Sequence, residues 1–255
     1  MAHHGTAVAS EPAIAEVYQS STISALLDGV YDGDVTVAEI LRHGDFGLGT
    51  FNRLDGEMVI LDGICYRLRA DGTAMPAAAT DRTPFAAVTH FHTDFTIPIR
   101  SNTSRDSIIR TIDAKISSPN LIHAIRITGR FSALHTRTVR AQTPPYPPLT
   151  TAAEEQAENV FDHSTGVLVG FRTPDYQQGI SVAGYHLHFL DADRVNGGHV
   201  LDFYLDEGEI AISTSSQLHL SLPATGQFLH AKLSGVDLAD QIRRAEGGTS
   251  PHPQA

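Results

Sequence analysis

The sequence is poor in residues that cross-link or anchor a protein. Its 255 residues include a single cysteine, Cys65, so no disulfide can form within the chain and the fold depends on its hydrophobic core. No apolar run approaches the roughly 20 residues that a membrane-spanning helix needs. Residues 1–10 lack the basic and then apolar layout of a secretory signal. We therefore expect a cytoplasmic protein without a membrane partner.

Positive charge is scarce as well. The chain has 18 Lys and Arg against 29 Asp and Glu, and its formal net charge is -11. This balance disfavours a broad electrostatic contact with nucleic acid or anionic lipid, and we expect neither partner. The only lysines are Lys115 and Lys232, and neither lies in the desolvated setting that Schiff-base chemistry requires.

Several motifs of nucleotide and nucleophile chemistry are also missing. The chain has no G-x-S-x-G sequence, no P-loop and no dinucleotide-binding glycine pattern. Acyl-serine, nucleotide and hydride chemistry therefore lack support. Cys65 follows a predicted hairpin turn among apolar residues, which is typical of a packed thiol rather than a nucleophile.

Strand patterns outnumber helix patterns and do not alternate with them regularly, which predicts an α+β fold with a mixed sheet. Asp62-Gly63 between two apolar runs, 58–61 and 64–68, predicts a β-hairpin. Further strands are expected at 121–131, 167–171, 180–190, 199–205 and 218–222. Helices are expected at a capping box that begins at Thr36, at an isoleucine-striped segment, 104–117, and at 152–161 and 237–245.

The prolines within residues 144–148 cannot join a central ladder and are expected to form a stiff connector. We place a domain boundary there. Residues 13–148 are predicted to form an N-terminal mixed-sheet domain packed with helices. Residues 149–246 are predicted to form a smaller β-rich domain that carries the candidate metal site. The polar segments 1–12 and 247–255 are predicted to be mobile.

His186 and His188 are the most distinctive pair of residues for chemistry. Residues two apart on a strand share a face, so both imidazoles point the same way. His199 follows in the next predicted strand, and three imidazoles can form an open metal site that leaves positions for water or substrate. The alternative is a pair of surface histidines. The similar pair His90 and His92 has no obvious third partner and is interpreted as polar residues at a strand end.

A shared metal requires a particular hairpin register. The Asn-Gly dipeptide at 196–197 favours a tight turn, which would place His199 far from His188. A turn centred on 193–194, or a longer loop, would make the two histidines neighbours. The metal hypothesis therefore predicts that the tight Asn-Gly turn does not form.

Longer segments extend this pattern beyond the histidines. They are YQSSTISALLDG at 18–29, GDFGLGTF at 44–51, LDGE at 54–57, and RTV at 137–139 with Pro145-Tyr146. Together with the histidines they span residues 18–246, and they resemble the acetolactate decarboxylase family. The resemblance implies a homodimeric zinc enzyme that converts 2-acetolactate to (R)-acetoin and CO2. It also implies that His186, His188 and His199 are the metal ligands.

The resemblance assigns roles to residues that carry no signal of their own. Glu57 and Glu246 are similar to the family's active-site glutamates, Arg137 to its active-site arginine and Thr50 to a substrate-pocket threonine. Arg140 is a departure, because the family pattern has proline there. Arg140 is therefore a second candidate for binding the substrate carboxylate.

These residues suit the reaction. Loss of CO2 from a β-keto acid leaves an electron pair that needs a sink. A metal held by three histidines can chelate the substrate's hydroxyl and keto oxygens and stabilise the enediolate. Arg137 would bind and orient the carboxylate. Glu57 or Glu246, protonated because an enclosed site raises its pKa, would donate the proton.

Two other classes stay open on the residues alone. One is a different three-His metalloenzyme, either cupin-like or of the zinc-hydroxide type. The other is a non-catalytic β-rich binding protein whose histidines are structural. The metal is open too, since imidazoles also accept iron, nickel or copper.

Overall fold

The computed structural model of the chain describes residues 15–233 and 237–246. The segments predicted to be mobile, 1–12 and 247–255, lie outside the described residues. The strands are β1 (Ala15–Ser20), β2 (Val35–Thr36), β3 (Phe46–Thr50), β4 (Glu57–Leu61), β5 (Ile64–Leu68), β6 (Ala74–Pro76), β7 (Arg82–Thr83), β8 (Phe85–Thr89), β9 (Phe95–Ile99), β10 (Thr103–Ser104), β11 (Ile122–Thr138), β12 (Ala157–Thr173), β13 (Gly184–Asp191) and β14 (Gly197–Ser221). The α-helices are α1 (Ile23–Leu27), α2 (Val37–Ile40), α3 (Arg105–Asp113), α4 (Leu149–Ala152), α5 (Gly226–His230) and α6 (Leu238–Glu246).

Two local signals produce the elements expected from them. Asp62 and Gly63 both have positive φ, 52° and 77°, as a two-residue turn between β4 and β5 requires. Thr36 accepts a hydrogen bond from the Glu39 amide, and the Glu39 carboxylate accepts one from the Thr36 amide. This capping box begins α2, as predicted.

The predicted helix at 152–161 is wrong. α4 ends at Ala152, and β12 begins at Ala157. Residues 157–161 pair instead with 134–138 of β11 in an antiparallel ladder. Alanine and glutamate favour a helix locally, but the long partner strand supplies hydrogen bonds and packing, so tertiary pairing overrides the propensity.

One mixed sheet contains most of the described strands. Its order is β11-β12-β13-β14-β1-β8-β3-β4-β5-β6, with β9 and β10 paired to β14. β1 joins the two parts of this order, because it pairs in parallel with β14 and antiparallel with β8. The sheet also crosses the predicted boundary at 148, since β11 pairs with both β12 and β14. The division into 13–148 and 149–246 stays a prediction.

The sheet curls so that strands far apart in its order contact each other. Four strands separate β4 from β13 in the sheet order. Even so, Nδ1 of His188 in β13 donates a hydrogen bond of 2.8 Å to the Met58 carbonyl in β4. One buried apolar cluster fills the space between the two parts and includes Leu48 and Leu61 from one and Phe171 and Leu190 from the other. The curl places β4 beside the candidate site.

α6 lies against α1 and α4. Ile242 and Ala245 of α6 are buried in the same cluster as Ile23 of α1 and Leu149 of α4. This packing fixes the position of the last described residue, Glu246. No helix in the described ranges is long and apolar enough to cross a membrane.

Candidate metal centre and active site

The hairpin between β13 and β14 has the register that a shared metal requires. His188 pairs directly with His199, so the turn is centred on 193–194. The carboxylate of Asp191 holds the loop, because it accepts hydrogen bonds from the backbone and side-chain amides of residues 195–196, at 2.8 and 2.7 Å. The tight Asn-Gly turn does not form, as the metal hypothesis predicted.

Cross-strand pairing aligns the candidate residues. His199 in β14 pairs with His188 on one side and with Arg137 of β11 on the other. His186 lies two residues from His188 and therefore shares its face. The strand register thus gathers three imidazoles and one guanidinium on neighbouring strands.

The ring nitrogens of the three histidines converge on one point. One nitrogen from each ring lies within 4.8 Å of the others. Nε2 of His188 is 3.2 Å from Nε2 of His186 and 3.2 Å from Nδ1 of His199. Two ligands of a tetrahedral zinc ion, each bound at about 2.0–2.1 Å, lie roughly 3.3 Å apart. The observed spacing fits such an ion.

Hydrogen bonds on the far side of two rings identify the nitrogens that are free to bind a metal. Nδ1 of His188 donates to the Met58 carbonyl at 2.8 Å, and Nε2 of His199 donates to the backbone carbonyl of Glu246 at 2.9 Å. A neutral imidazole carries one proton, so Nε2 of His188 and Nδ1 of His199 present lone pairs to each other. Facing lone pairs repel, and a shared cation removes that repulsion. The donor set therefore fits a metal ion.

Burial keeps the three rings neutral. Desolvation, together with a smaller effect of the nearby Arg137 charge, lowers the pKa of His186 to about 3. Desolvation is also the main reason that the pKa values of His188 and His199 lie well below their usual value, with Arg137 contributing to both. Neutral imidazole is the form that binds a metal.

Arg137 and Glu246 form a buried ion pair beside the histidines. Nη2 of Arg137 donates to Oε2 of Glu246 at 3.3 Å, and the two side chains are 3% and 8% exposed. The same oxygen lies 3.7 Å from Nε2 of His186 and 3.6 Å from Nδ1 of His199. Nε of Arg137 is buried without a hydrogen-bond partner among the described residues. The guanidinium therefore has a donor available for an anionic ligand.

Glu57 approaches the same centre from β4. Its Oε2 atom lies 3.8 Å from Nε2 of His188. Burial raises the pKa of Glu57 to about 7, with the Arg137 charge opposing the shift and Glu246 adding to it. Burial also raises the pKa of Glu246. Thr50 is the cross-strand partner of Glu57, and its hydroxyl donates to the backbone of residue 56 at 2.9 Å.

Other candidates lie outside the centre. Arg140 is exposed, three residues beyond Arg137, and makes no ion pair within the described ranges. His90 and His92 are exposed in the loop between β8 and β9, which agrees with their interpretation as polar residues at a strand end. Cys65 is buried, and desolvation raises the pKa of its thiol to about 12, so the thiol is inert at neutral pH.

Sequence reasoning missed the groups that orient the rings. The carbonyls of Met58 and Glu246 fix two imidazoles, but any residue has a backbone carbonyl and so the sequence carries no signal for them. Asp191 did carry a signal. An aspartate at a strand end commonly accepts hydrogen bonds from the following turn, and this one sets the hairpin register.

Comparison with known proteins shows which family the chain belongs to. A family model described as alpha-acetolactate decarboxylase matches residues 17–235. The chain belongs to the alpha-acetolactate decarboxylase family. It is 46% identical over 234 residues to the alpha-acetolactate decarboxylase of Bacillus subtilis (strain 168), covering 92% of each chain. It is 48% identical over 230 residues to that of Klebsiella aerogenes, covering 90% of this chain and 88% of the relative.

Two solved structures with related sequences have the same fold. The crystal structure of the enzyme from Bacillus subtilis strain 168 matches with a TM-score of 0.90 at 46% identity, covering 91% of this chain and 100% of that chain. A Staphylococcus aureus protein, described as of unknown function and similar to alpha-acetolactate decarboxylase, matches with a TM-score of 0.87 at 34% identity, over 91% and 100% of the two chains.

Membership of the acetolactate decarboxylase family makes the chain a carboxy-lyase with acetolactate as its substrate. The cupin-like, zinc-hydroxide and non-catalytic alternatives are therefore not supported. The three-histidine group is the place in the described chain where such an enzyme could hold a metal ion.

Proposed function

We propose that the chain catalyses Zn²⁺-dependent decarboxylation of 2-acetolactate to (R)-acetoin and CO2. One observation carries the proposal. In two buried, neutral rings, Nε2 of His188 and Nδ1 of His199 lie 3.2 Å apart and direct their lone pairs at each other. His186 supplies the third donor. Family membership supports acetolactate as the substrate.

His186, His188 and His199 would hold the ion and leave coordination positions open for substrate. Bound zinc would supply a Lewis acid that polarises the hydroxyl and keto oxygens and stabilises the charge left when CO2 departs. The rings are buried, so little water competes for the site and electrostatic effects are larger there than in solution.

Arg137 binds and orients the substrate carboxylate in this proposal. Its side chain is 3% exposed and is anchored by Glu246 on one side, while its Nε atom keeps a donor for the ligand. Its strand position opposite His199 places a fixed cation beside the metal centre. A fixed guanidinium can align the breaking carbon–carbon bond with the ketone that receives the electrons.

Glu57 delivers the proton in this proposal. Glu246 pairs directly with the Arg137 guanidinium, and this pair opposes the rise in its pKa that burial produces. Glu57 makes no such ion pair with an arginine within the described residues and lies 3.8 Å from His188 on the β4 side of the site. A proton delivered from one fixed side reaches one face of the substrate and thereby sets the configuration of acetoin.

The proposal is tested by adding 2-acetolactate to the purified protein and measuring acetoin and CO2. We expect (R)-acetoin on chiral chromatography, one bound metal ion per chain by elemental analysis, and loss of turnover after chelation. Zinc should restore the rate, and parallel additions of iron, nickel and copper identify the preferred metal. Full turnover in the metal-free protein would contradict the proposal.

The assembly and the finer domain layout are part of the same proposal. The three histidines belong to 149–246, which supports the β-rich part as carrier of the metal site. A homodimer is supported by exposed apolar residues, Val160 and Tyr204, which are 64% and 45% exposed and share a face of β12 and β14 through their pairing with β11. Light scattering tests the dimer, and cell fractionation tests the predicted cytoplasmic location.

A further inference from the structure

A wide groove lies beside the chain segments that lead to Glu57 and away from Arg137. It encloses about 300 Å³ and is lined by three short segments, 55–56, 69–71 and 139–141. The first segment immediately precedes Glu57, and the last begins two residues after Arg137. Neither residue lines the groove itself, but two of the segments that line it adjoin the residues proposed to handle the carboxylate and the proton.

A second, smaller cavity lies next to His186. Its volume is about 20 Å³, and most of its lining is apolar, including Leu48, Phe85 and Phe171. That space is sufficient for one or two water molecules and is too small and too apolar to admit a carboxylate. Of these two spaces, only the wide groove could admit an anionic substrate.

Arg140 is the charge in the groove that has no partner. Asp55 is already paired with Arg67 at 3.1 Å and with Arg69 at 3.4 Å. Asp71 accepts hydrogen bonds from the amide and hydroxyl of Thr73 at 3.0 and 2.6 Å. In the described part of the chain, no carboxylate lies within ion-pair distance of the exposed Arg140 guanidinium.

The position of Arg140 suits long-range attraction better than direct contact. It is three residues beyond Arg137, so the two Cα atoms are at most roughly 10 Å apart at about 3.3 Å per residue. That distance is close to the Debye length, which is about 10 Å at 0.1 M ionic strength. The chain as a whole is acidic, with a net charge of -11, so it repels an anionic substrate elsewhere.

We infer that this groove is the substrate entrance and that Arg140 is a steering residue that draws the carboxylate towards Arg137. The inference rests on the proposed function, since it takes Arg137 as the carboxylate-binding residue. Arg140 acts through its charge alone and does not touch the bound substrate.

The charge test compares Arg140→Gln with Arg100→Gln in the zinc-loaded enzyme. Arg100 is exposed and follows Ile99, whose partner Gly208 lies nine residues from His199 along β14, roughly 30 Å away. At about 10 mM salt we expect Arg140→Gln to lower kcat/KM about two- to fourfold through KM, with kcat unchanged. At about 0.5 M salt the difference should vanish, because the charge is screened. Arg100→Gln should match the wild type at both salt concentrations.

Two further variants separate steering from other roles. Arg140→Lys keeps the charge and should match the wild type, whereas direct bidentate binding would make it as slow as Arg140→Gln. Asp71→Asn removes the competing negative charge but keeps an acceptor for Thr73, so it should raise kcat/KM at low salt. A loss in Arg140→Gln that persists at high salt, or an unchanged kcat/KM at low salt, would overturn the steering role.

The entrance itself is tested by narrowing the groove. Ala141→Trp places a large side chain in it, and Ala114→Trp places the same side chain at an exposed position on the C-cap of α3. We expect only Ala141→Trp to lower kcat/KM, at both salt concentrations and with wild-type metal content. Equal rates for the two variants would show that substrate enters elsewhere. Absence of zinc-dependent turnover in the wild type would instead overturn the proposed function.

Discussion

Nε2 of His199 donates a hydrogen bond of 2.9 Å to the backbone carbonyl of Glu246, the last residue of α6. The final carbonyls of a helix lack partners within it and carry the negative end of its dipole, so this end of α6 is a good acceptor. The same residue contributes the carboxylate that pairs with Arg137. The docking of α6 is thus coupled both to a proposed metal ligand and to the arginine proposed to bind the carboxylate.

Loosening α6 should weaken metal binding. Ile242 is 3% exposed and lies on the buried face of α6. Ile242→Ala removes packing worth about 2–4 kcal/mol. Because α6 then holds His199 less firmly, we expect zinc affinity to fall about 10- to 100-fold. Competition with a chromophoric chelator measures the affinity. Arg244→Ala, an exposed change on the same helix, should keep it, and wild-type affinity in Ile242→Ala would show that α6 does not orient the ligand.

Replacing one imidazole should remove both metal and activity. His188→Gln keeps a side chain of similar size but loses the ring nitrogen that faces the other two histidines. We expect bound zinc to be lost and turnover to fall by at least about 10³-fold, with the circular dichroism spectrum retained. His90→Gln, in an exposed loop, should leave both unchanged. A metal-free His188→Gln protein with full activity would contradict the role of the metal.

The role of the proposed proton donor can be tested separately from metal binding by an isosteric change. Glu57→Gln preserves shape but cannot donate an acidic proton. We expect kcat to fall about 10²- to 10⁴-fold, the usual range for general acid catalysis, while zinc content stays at the wild-type level. Steady-state kinetics and elemental analysis on the same preparation provide the check. A wild-type kcat would remove Glu57 from the mechanism, and a larger loss in Glu246→Gln would transfer the role to that residue.

The guanidinium of Arg137 should be irreplaceable by another cation. Arg137→Lys keeps the charge near Glu246 but loses the planar arrangement of donors. We expect kcat/KM to fall about tenfold or more, with metal content unchanged. Arg130→Lys, a half-exposed position on the same strand, should have wild-type kinetics. Equal kinetics for the two variants would argue that Arg137 does not bind the carboxylate.

A buried histidine away from the three-histidine group should make the fold sensitive to acid. His123 is fully buried, contacts the Ser118 carbonyl and the Thr214 hydroxyl, and has its pKa lowered by desolvation. In the unfolded chain the pKa is about 6.5, so below that pH the unfolded state binds more protons and stability falls as the pH falls.

His123→Gln should therefore flatten the pH dependence of stability. The expected difference from the wild type is at most about 1.4 kcal/mol per pH unit, and it applies below about pH 6.5. Urea unfolding between pH 7 and 5 measures it. His90→Gln is the control, since that ring is exposed. Parallel stability curves for the wild type and His123→Gln would refute the assignment.

The sequence predicted the parts of this site that depend on short-range rules. Strand alternation placed His186 and His188 on one face, and the stated register condition for His199 is met. The hairpin at 62–63 and the capping box of α2 also follow from local conformational preferences. α6, expected at 237–245, is observed one residue later.

Long-range pairing explains what the sequence could not predict. The helix expected at 152–161 is partly replaced by β12, because residues far away in β11 provide a ladder for it. The approach of Glu57 to His188 depends on the curl of the sheet, for which no local motif exists. Glu57, Arg137 and Glu246 look like ordinary surface charges in isolation, so only their resemblance to a known family singled them out.

The curl of the sheet also determines how this enzyme would lose activity on unfolding. The three imidazoles, the guanidinium and the two glutamates are carried by separate strands and one helix, and they meet only when the sheet curls and α6 docks. Turnover should thus be lost on mild heating before the bulk of the strand signal disappears. For the same reason, we expect that grafting the three-histidine hairpin onto another scaffold would transfer metal binding but not decarboxylase activity.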